Sequence, residues 1–382
     1  MNICIITSSF PSRPDDIVQA PFLLNFIKGL EKRGHQVFLF TQDREGVKEE
    51  FVEGVQVKWF PWTKSTKALV QLNPMSPLDC LRIGNLFYNG RKALLPFIKE
   101  NRIDVSLALW VLPSGYFANH AYRRAGIPYS VWALGSDIYR YGRNPFLYPI
   151  MKRIIGEARA VFADGFDLSR RVEERFRKDC FFLATTRTLE KIESDRSNRH
   201  DESNKPYGFL FVGRLEKVKG LDLLLQSMAL LMEEDLNVHL TIVGKGGMEE
   251  WAKVFIQQKG LGKRVSMVGN VPDQTLASLY AFTDCVVIPS RSESIPLVFS
   301  EAIRFDKKLI VTDVGDMGML GRQYGVAWVI PPEDIMALKE IMKKRAESQG
   351  NDGAGEEREK KEELKQLFNI ETSVERFLAD YK

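Results

Sequence analysis

Four residues of this chain have the types and spacing that chemistry requires: the cations Arg214 and Lys219 and the carboxylates Glu293 and Glu301. The cations lie in Phe209-Leu-Phe-Val-Gly-Arg-Leu-Glu-Lys-Val-Lys-Gly220, where a buried-strand pattern ends at Gly213 and the apolar-periodic stretch Leu221–Leu231 follows. Arg214 therefore emerges at the carboxyl end of a strand, where open α/β sheets bind ligands, and Lys219 sits at the mouth of a helix. Two cations converging on a helix N-terminus suit a diphosphate, and each charge-assisted bond to phosphate contributes roughly 1.5–3 kcal/mol. The carboxylates lie in Val287-Ile-Pro-Ser-Arg-Ser-Glu-Ser-Ile-Pro-Leu-Val-Phe-Ser-Glu-Ala302, again strand, loop and helix, the helix starting near Pro296. Glu293 falls at the helix mouth and Glu301 a little over two turns on, toward the same side, so the pair suits vicinal sugar hydroxyls. Spacing alone leaves plainer readings open: basic surface residues for the first segment, and a capping glutamate with an ordinary surface glutamate for the second.

The elements that must position these residues follow a strand–helix alternation. In the first half, Ile3–Thr7, Gln36–Phe40, Val105–Leu109, Tyr129–Trp132 and Ala160–Ala163 read as strands, with a helix over Pro21–Arg33 that stops at Gly34. The tract Asp195–Pro206 is almost devoid of apolar residues and reads as a linker. The alternation then restarts, with strands over Tyr207–Val212, His239–Val243, Val265–Val268, Cys285–Ile288, Lys308–Thr312 and Ala327–Val329. Short apolar strands separated by helices imply parallel sheets covered on both faces. The expected organisation is two doubly wound α/β domains, 1–194 and 207–368, flanking a cleft. Glu371–Tyr381 reads as a closing helix, within a segment 369–382 that packs back on the first domain. Gly350–Lys365, rich in Glu and Lys, reads as an exposed loop and a solvated helix.

The ordered motifs resemble those of GT-B retaining glycosyltransferases of the family 4 (group 1) type. G-R-L-x3-K-G, I-V-G-x-G and P-S-x2-E-x7-E stand here at Gly213–Gly220, Ile242–Gly246 and Pro289–Glu301, with Val268-Gly-Asn-Val-Pro272 and Leu279-Tyr280 between them. Ala20-Pro-Phe-Leu, Arg33-Gly-His-Gln-Val37 and Gly135-Ser-Asp137 extend the likeness, less specifically, into the first half. The resemblance implies a GT-B fold and transfer of a sugar from a UDP- or GDP-sugar to a glycan, lipid-linked or small-molecule hydroxyl. It implies catalytic roles for Arg214 and Lys219 on the diphosphate and for Glu293 on the donor sugar. Glu301 would hold the ribose, Ser294, Ile295, Pro296, Leu297 and Val298 would offer backbone groups, and Val271 would lie near the base. Gly213, Gly244 and Gly246 would let the chain approach the nucleotide. Ser136 and Asp137 would stand on the acceptor or sugar side. No cofactor and no metal are implied, and the chain has no Asp-x-Asp pair. Two departures stand out: the first loop, Ser8-Ser-Phe-Pro-Ser-Arg-Pro-Asp-Asp16, lacks the glycine pair common in relatives, and Leu134 replaces a frequent histidine. A sugar-nucleotide epimerase of the same fold and a non-catalytic binding paralogue are the alternatives. A nicotinamide dehydrogenase is disfavoured by the lack of a full G-x-G-x-x-G.

Composition bounds the remainder. At 382 residues, 44% hydrophobic and 27% charged, the chain suits two globular domains, and no apolar run is long enough to span a membrane. The start, Met1–Phe10, reads as a first strand rather than a signal peptide. Four cysteines, Cys4, Cys80, Cys180 and Cys285, form no CxxC and point to a reducing cytoplasm. Residues 1–191 carry 28 Lys+Arg against 19 Asp+Glu, whereas the remainder carries 26 against 31. With Tyr139-Arg-Tyr-Gly-Arg-Asn-Pro-Phe-Leu-Tyr148 and Trp59-Phe-Pro-Trp62, that basic first half suggests peripheral contact with an anionic membrane or lipid-linked acceptor; no motif suggests nucleic acid. The four histidines read as structural.

Overall fold

The computed structural model describes residues 1–10, 20–43, 51–52, 54–63, 72–73, 76–135, 137–142, 144–190, 205–348 and 357–381. The expected linker residues Asp195–Asn204, most of the first loop, Ser136, Arg143, His200 and the tract from Gly350 to Glu356 lie outside them. The chain forms two compact units, Met1–Thr185 with Ile370–Lys382, and Thr186–Asn369.

The first unit is built on eight strands: β1 (Asn2–Ile6), β2 (Gln36–Asp43), β3 (Phe51–Val52), β4 (Val55–Pro61), β5 (Val105–Leu109), β6 (Tyr129–Ala133), β7 (Ala160–Ala163) and β8 (Phe181–Phe182). Their order is β3-β4-β2-β1-β5-β6-β7-β8, parallel except between β3 and β4. Strands β5, β6 and β7 are buried along their whole length, the mark of a sheet covered on both faces. Five helices supply that cover: α1 (Pro21–Glu31), α2 (Pro77–Glu100), α3 (Tyr116–Ala125), α4 (Tyr148–Glu157) and α5 (Phe166–Phe176). Trp59-Phe-Pro-Trp62, read as a surface element, is half core: Phe60 and Trp62 are buried, and the Trp62 indole N–H donates to the Arg82 carbonyl at 2.9 Å. Phe60 and Trp62, two apart on the strand end, turn inward, while Trp59 is half-buried and Pro61 exposed.

The second unit holds β9 (Tyr207–Val212), β10 (Val238–Val243), β11 (Val265–Gly269), β12 (Cys285–Ile288), β13 (Lys308–Thr312) and β14 (Ala327–Ile330). They are all parallel, in the order β11-β10-β9-β12-β13-β14. From β9 the chain winds one way through β10 and β11, then returns to place β12 on the other side. The order reverses between β9 and β12, whose carboxyl ends carry the two segments singled out above. The helices are α6 (Leu221–Glu233), α7 (Glu249–Gln258), α8 (Asp273–Phe282), α9 (Leu297–Arg304), α10 (Met317–Gln323), α11 (Ile335–Glu347) and α12 (Glu357–Leu367). A last helix, α13 (Ile370–Ala379), returns to the first unit and packs on α1. Phe377 meets Phe26 at 5.8 Å, and a Cβ on Gly29 would stand 2.8 Å from Val374 Cγ2.

Helix α12 is the helix read within Gly350–Lys365, mostly exposed but anchored, which the solvated reading did not anticipate; the expected loop lies outside the described residues. It packs on α9: Leu364 is fully buried, and Phe368 just beyond the helix meets Phe299 edge-on at 6.1 Å. Lys365 and Lys361 lie 2.8 and 3.5 Å from Asp306. Since α9 carries Glu301, this packing supports the site from behind. Leu364→Ala is expected to cost about 2–4 kcal/mol of stability, whereas the exposed Lys360→Ala stays within about 0.5. Urea unfolding of both variants decides it; equal midpoints would mean α12 is not part of the core.

Candidate active site

The site grows from three strand-end loops that touch. After β9 the chain runs through Gly213–Glu216, makes a short 3-10 turn at Lys217–Lys219 and enters α6 through Gly220. Gly220 has φ +73, and a Cβ there would stand 1.9 Å from the Pro289 carbonyl oxygen. No other residue fits: the left-handed backbone and the missing side chain are both needed for the loops after β9 and β12 to meet. Gly244 has φ +133 and would meet the Gly213 carbonyl at 1.9 Å, so the loop after β10 closes on the first loop from its other side. Gly246 is crowded by the Leu215 backbone, whose carbonyl oxygen would stand 2.6 Å from an added Cβ. These glycines are thus required by loop-on-loop packing.

Lys219 and Glu293 come together in this setting. The Lys219 ammonium pairs with Glu293 Oε1, and the Ser290 hydroxyl donates to the same oxygen at 3.1 Å. Their side chains are only 21% and 12% exposed, so the pair is shielded rather than a loose surface contact. The end of β13 and the loop after it support the Glu293 loop: Thr312 Oγ1 donates to the Ser290 carbonyl at 2.5 Å, and a Cβ on Gly315 would stand 2.3 Å from the Glu293 carbonyl. Arg214 is different. It is exposed, and among the described residues its guanidinium has neither an ion pair nor a hydrogen bond. Beside Glu293, the Ser294 hydroxyl is buried and has no partner among the described residues. Ile295 and Val298 are buried, and Gly213, Val271, Pro296 and Leu297 are half-buried. Helix α9 starts at Leu297 with Pro296 in the capping position.

Glu301 does not join the Lys219–Glu293 pair. It lies 3% exposed inside α9, so the surface reading of this glutamate fails. Its Oε2 accepts the Tyr280 hydroxyl at 2.7 Å, and Arg187 Nη1 stands 3.8 Å from its other oxygen while also pairing with Asp273. Burial pushes the Glu301 carboxyl up, and the Tyr280 hydrogen bond and the Arg187 charge oppose that rise. The sequence reading missed Arg187. It belongs to a segment with no periodic pattern, and only its position in space links it to Glu301.

Of the two residues expected on the acceptor or sugar side, Ser136 lies outside the described residues. Asp137 is fully buried, and its Oδ2 accepts the Val111 N–H at 2.7 Å. That bond ties the loop after β6 to the loop after β5, where Trp110 takes the rare φ of +68. In this arrangement the Asp137 Oδ2 braces backbone, while its Oδ1 is buried with no hydrogen-bond partner among the described residues. The aromatic–basic segment is likewise partly engaged within the unit. Tyr139 lies under Arg171, and Tyr148 stacks on Phe176, whereas Phe146 is 85% exposed. Among the described residues, the cysteines form no disulfide, no three His, Cys, Asp or Glu side chains form a metal-holding group, and no helix is long and apolar enough to cross a membrane.

Comparison with known proteins places these loops in a family context. Residues 193–367 match the family model of glycosyl transferases group 1, and residues 17–165 match that of the glycosyl transferase 4-like proteins. The chain is similar to a putative teichuronic acid biosynthesis glycosyltransferase of Bacillus subtilis, 28% identical over 65% of this chain and 64% of that one. It is also similar to an uncharacterized glycosyltransferase of Methanocaldococcus jannaschii, 34% identical over 38% of this chain and 37% of that one. The matches thus span less than two thirds of either relative. Among solved structures, sucrose-phosphate synthase of Thermosynechococcus elongatus superposes with a TM-score of 0.78 at 17% identity, over 100% of this chain and 98% of that one.

Burial raises the Asp137 carboxyl from 3.8 to about 6, against the lowering effect of the Val111 bond. The folded state therefore holds more protons than the unfolded state between those values, and stability falls as pH rises through that window. Asp137→Asn keeps an acceptor for Val111 and cannot ionise. Relative to wild type it should gain on the order of 3 kcal/mol between about pH 4 and about pH 7. Thermal melts at both pH values test this; a difference independent of pH would contradict the buried ionisable brace.

Proposed function

We propose that this chain, which belongs to the group 1 glycosyltransferases and has the GT-B fold of two Rossmann-like α/β domains, moves a sugar from a nucleoside diphosphate sugar, UDP- or GDP-linked, to an acceptor hydroxyl on a glycan, a lipid-linked glycan or a small molecule. The observation that carries the reading is the meeting of the β9 and β12 loops at the reversal of strand order, with unpaired Arg214 and the Lys219–Glu293 pair on them. A diphosphate entering there supplies the negative charge that Arg214 lacks, and it competes with Glu293 for the Lys219 ammonium. Lys219 then shares its donors between phosphate and carboxylate, and Glu293 is released toward the hydroxyls of the donor sugar.

The reaction breaks the bond between the anomeric carbon and the diphosphate oxygen and forms one to the acceptor oxygen. Charge on the departing diphosphate grows in the transition state, which is where Arg214 and Lys219 act. The acceptor proton passes to the leaving diphosphate on the same face, so the anomeric configuration is retained, and the two cations take the place a metal ion would otherwise fill. Glu301, with Tyr280 and Arg187 about it, is assigned to the ribose hydroxyls, and Val271 to the base. Ser294 and the backbone N–H groups of Ile295, Leu297 and Val298 are assigned to sugar and phosphate.

Arg214→Ala and Lys219→Ala should each lower kcat/KM by at least about thirtyfold, about 2 kcal/mol of transition-state stabilisation. The assay incubates the chain with UDP-, GDP- and ADP-sugars and an acceptor panel and identifies the product anomer by proton NMR. Near-normal turnover in both variants, or an inverted product, would overturn the assignment; conversion of donor without acceptor would favour the epimerase.

Where the acceptor is lipid-linked, the basic first unit is proposed to touch an anionic surface on the cytoplasmic face. Phe146 and Ile150 are exposed, with Lys152 and Arg153 exposed alongside on α4. Weak binding to phosphatidylserine vesicles is expected at low salt and should vanish at high salt. Absence of co-sedimentation at low salt would refute it.

A further inference from the structure

Arg291 sits two residues before Glu293, yet its charge is turned away from any ligand. Its Nη1 and Nη2 form a fork on the Asp222 carboxylate at 2.7 and 2.9 Å. Its Nε and Nη2 form a second fork on Glu333 at 2.5 and 3.0 Å, and Nη1 also reaches the Lys217 carbonyl at 2.5 Å. The Arg291 backbone N–H donates to the Val218 carbonyl at 2.8 Å. Arg291 thus spends its hydrogen-bonding nitrogens on the residues that frame Lys219: Lys217 and Val218 before it and Asp222 after it. Glu333 comes from a third loop, between β14 and α11, where its backbone holds the uncommon φ of +63. A non-glycine residue in that region costs on the order of 1 kcal/mol or more and persists only where its surroundings hold it; the Arg291 fork is such a hold.

We propose that Arg291 is the positioning residue of the nucleotide site: by gripping Asp222, Glu333 and the 217–218 turn, it sets Lys219 and Glu293 in register with one another. This rests on the donor-site reading above and deepens it. The two flat forks are what the side chain must supply. Lysine keeps the charge but presents a single rotatable ammonium, which cannot hold two carboxylates at right positions together with a carbonyl. Backbone packing at Gly220 brings the two loops into contact, and Arg291 removes the remaining freedom to slide about that contact. A residue only 17% exposed, with two acids bound to it, has no charge left to offer a phosphate. Its effect on nucleotide binding therefore travels through Lys219.

The test is a double-mutant cycle on the full chain, read by calorimetric binding of UDP, GDP and ADP, using whichever binds wild type most tightly. Arg291→Lys should weaken binding at least tenfold while leaving the melting temperature within a few degrees. In a Lys219→Ala background the same change should cost less than threefold, because the group it positions is gone. If Arg291→Lys does not fold, Glu333→Gln at the exposed end of the clamp replaces it, with a smaller loss and the same dependence on Lys219. Penalties that multiply in the two backgrounds, or an Arg291→Lys variant that binds as wild type, would overturn the positioning role while leaving the site intact. If wild type binds none of the three nucleotides, or Lys219→Ala binds as well as wild type, the donor-site reading fails and this proposal fails with it.

Discussion

The contact between Gly220 and the Pro289 carbonyl is the constraint on which the site depends. It occurs where strand order reverses, so two loops from neighbouring strands leave the sheet in diverging directions and would otherwise part. With no Cβ at position 220 the backbones meet, and Lys219 on one loop and Glu293 on the other become partners. The glycines at 244 and 246 and at 315 repeat the same device on either side, so one cluster of close approaches fixes four loops. The family resemblance assigns Gly244 and Gly246 to the nucleotide. The packing shows that they are also needed to bring the loops together at all.

Much of this organisation is legible in the sequence. Val105–Leu109, Cys285–Ile288 and Lys308–Thr312 are short, mostly apolar runs, and each is a strand over the same residues, because a strand covered on both faces favours apolar side chains throughout. β4 escaped notice. Gln56 and Lys58 interrupt its apolar residues, as expected of a strand near a sheet edge with one face partly open. The anchoring of helix α12 was obscured by its charge: Glu, Arg and Lys dominate it, while the burial that holds it in place comes from Leu364. The run Trp59–Trp62 looked like a surface patch because composition does not say which way a side chain points.

The candidate site divides the same way. Arg214, Lys219, Glu293 and Glu301 could be picked out from residue type, strand-end position and motif order. Their partners could not. Arg187 reaches Glu301 from a pattern-free segment, Tyr280 from another helix, and Asp222, Arg291 and Glu333 form a clamp across three loops. Pairings of this kind depend on where the loops end up in space, which periodicity does not encode. The electrostatic contrast they create is a physical result of the fold: Arg214 exposed and unpaired, Lys219 held by one shielded carboxylate, Arg291 saturated by two, and Glu301 buried against a phenol. One cation is left for an incoming anion, and a second is held by a bond that an anion can contest.

The most direct measurement is a crystal structure of the chain with the nucleoside diphosphate it binds most tightly. Diphosphate oxygens are expected within hydrogen-bond distance of both the Arg214 guanidinium and the Lys219 ammonium, above the carboxyl ends of β9 and β12, with the Arg291 forks unchanged. A nucleotide bound elsewhere, or one that contacts neither cation, would contradict it.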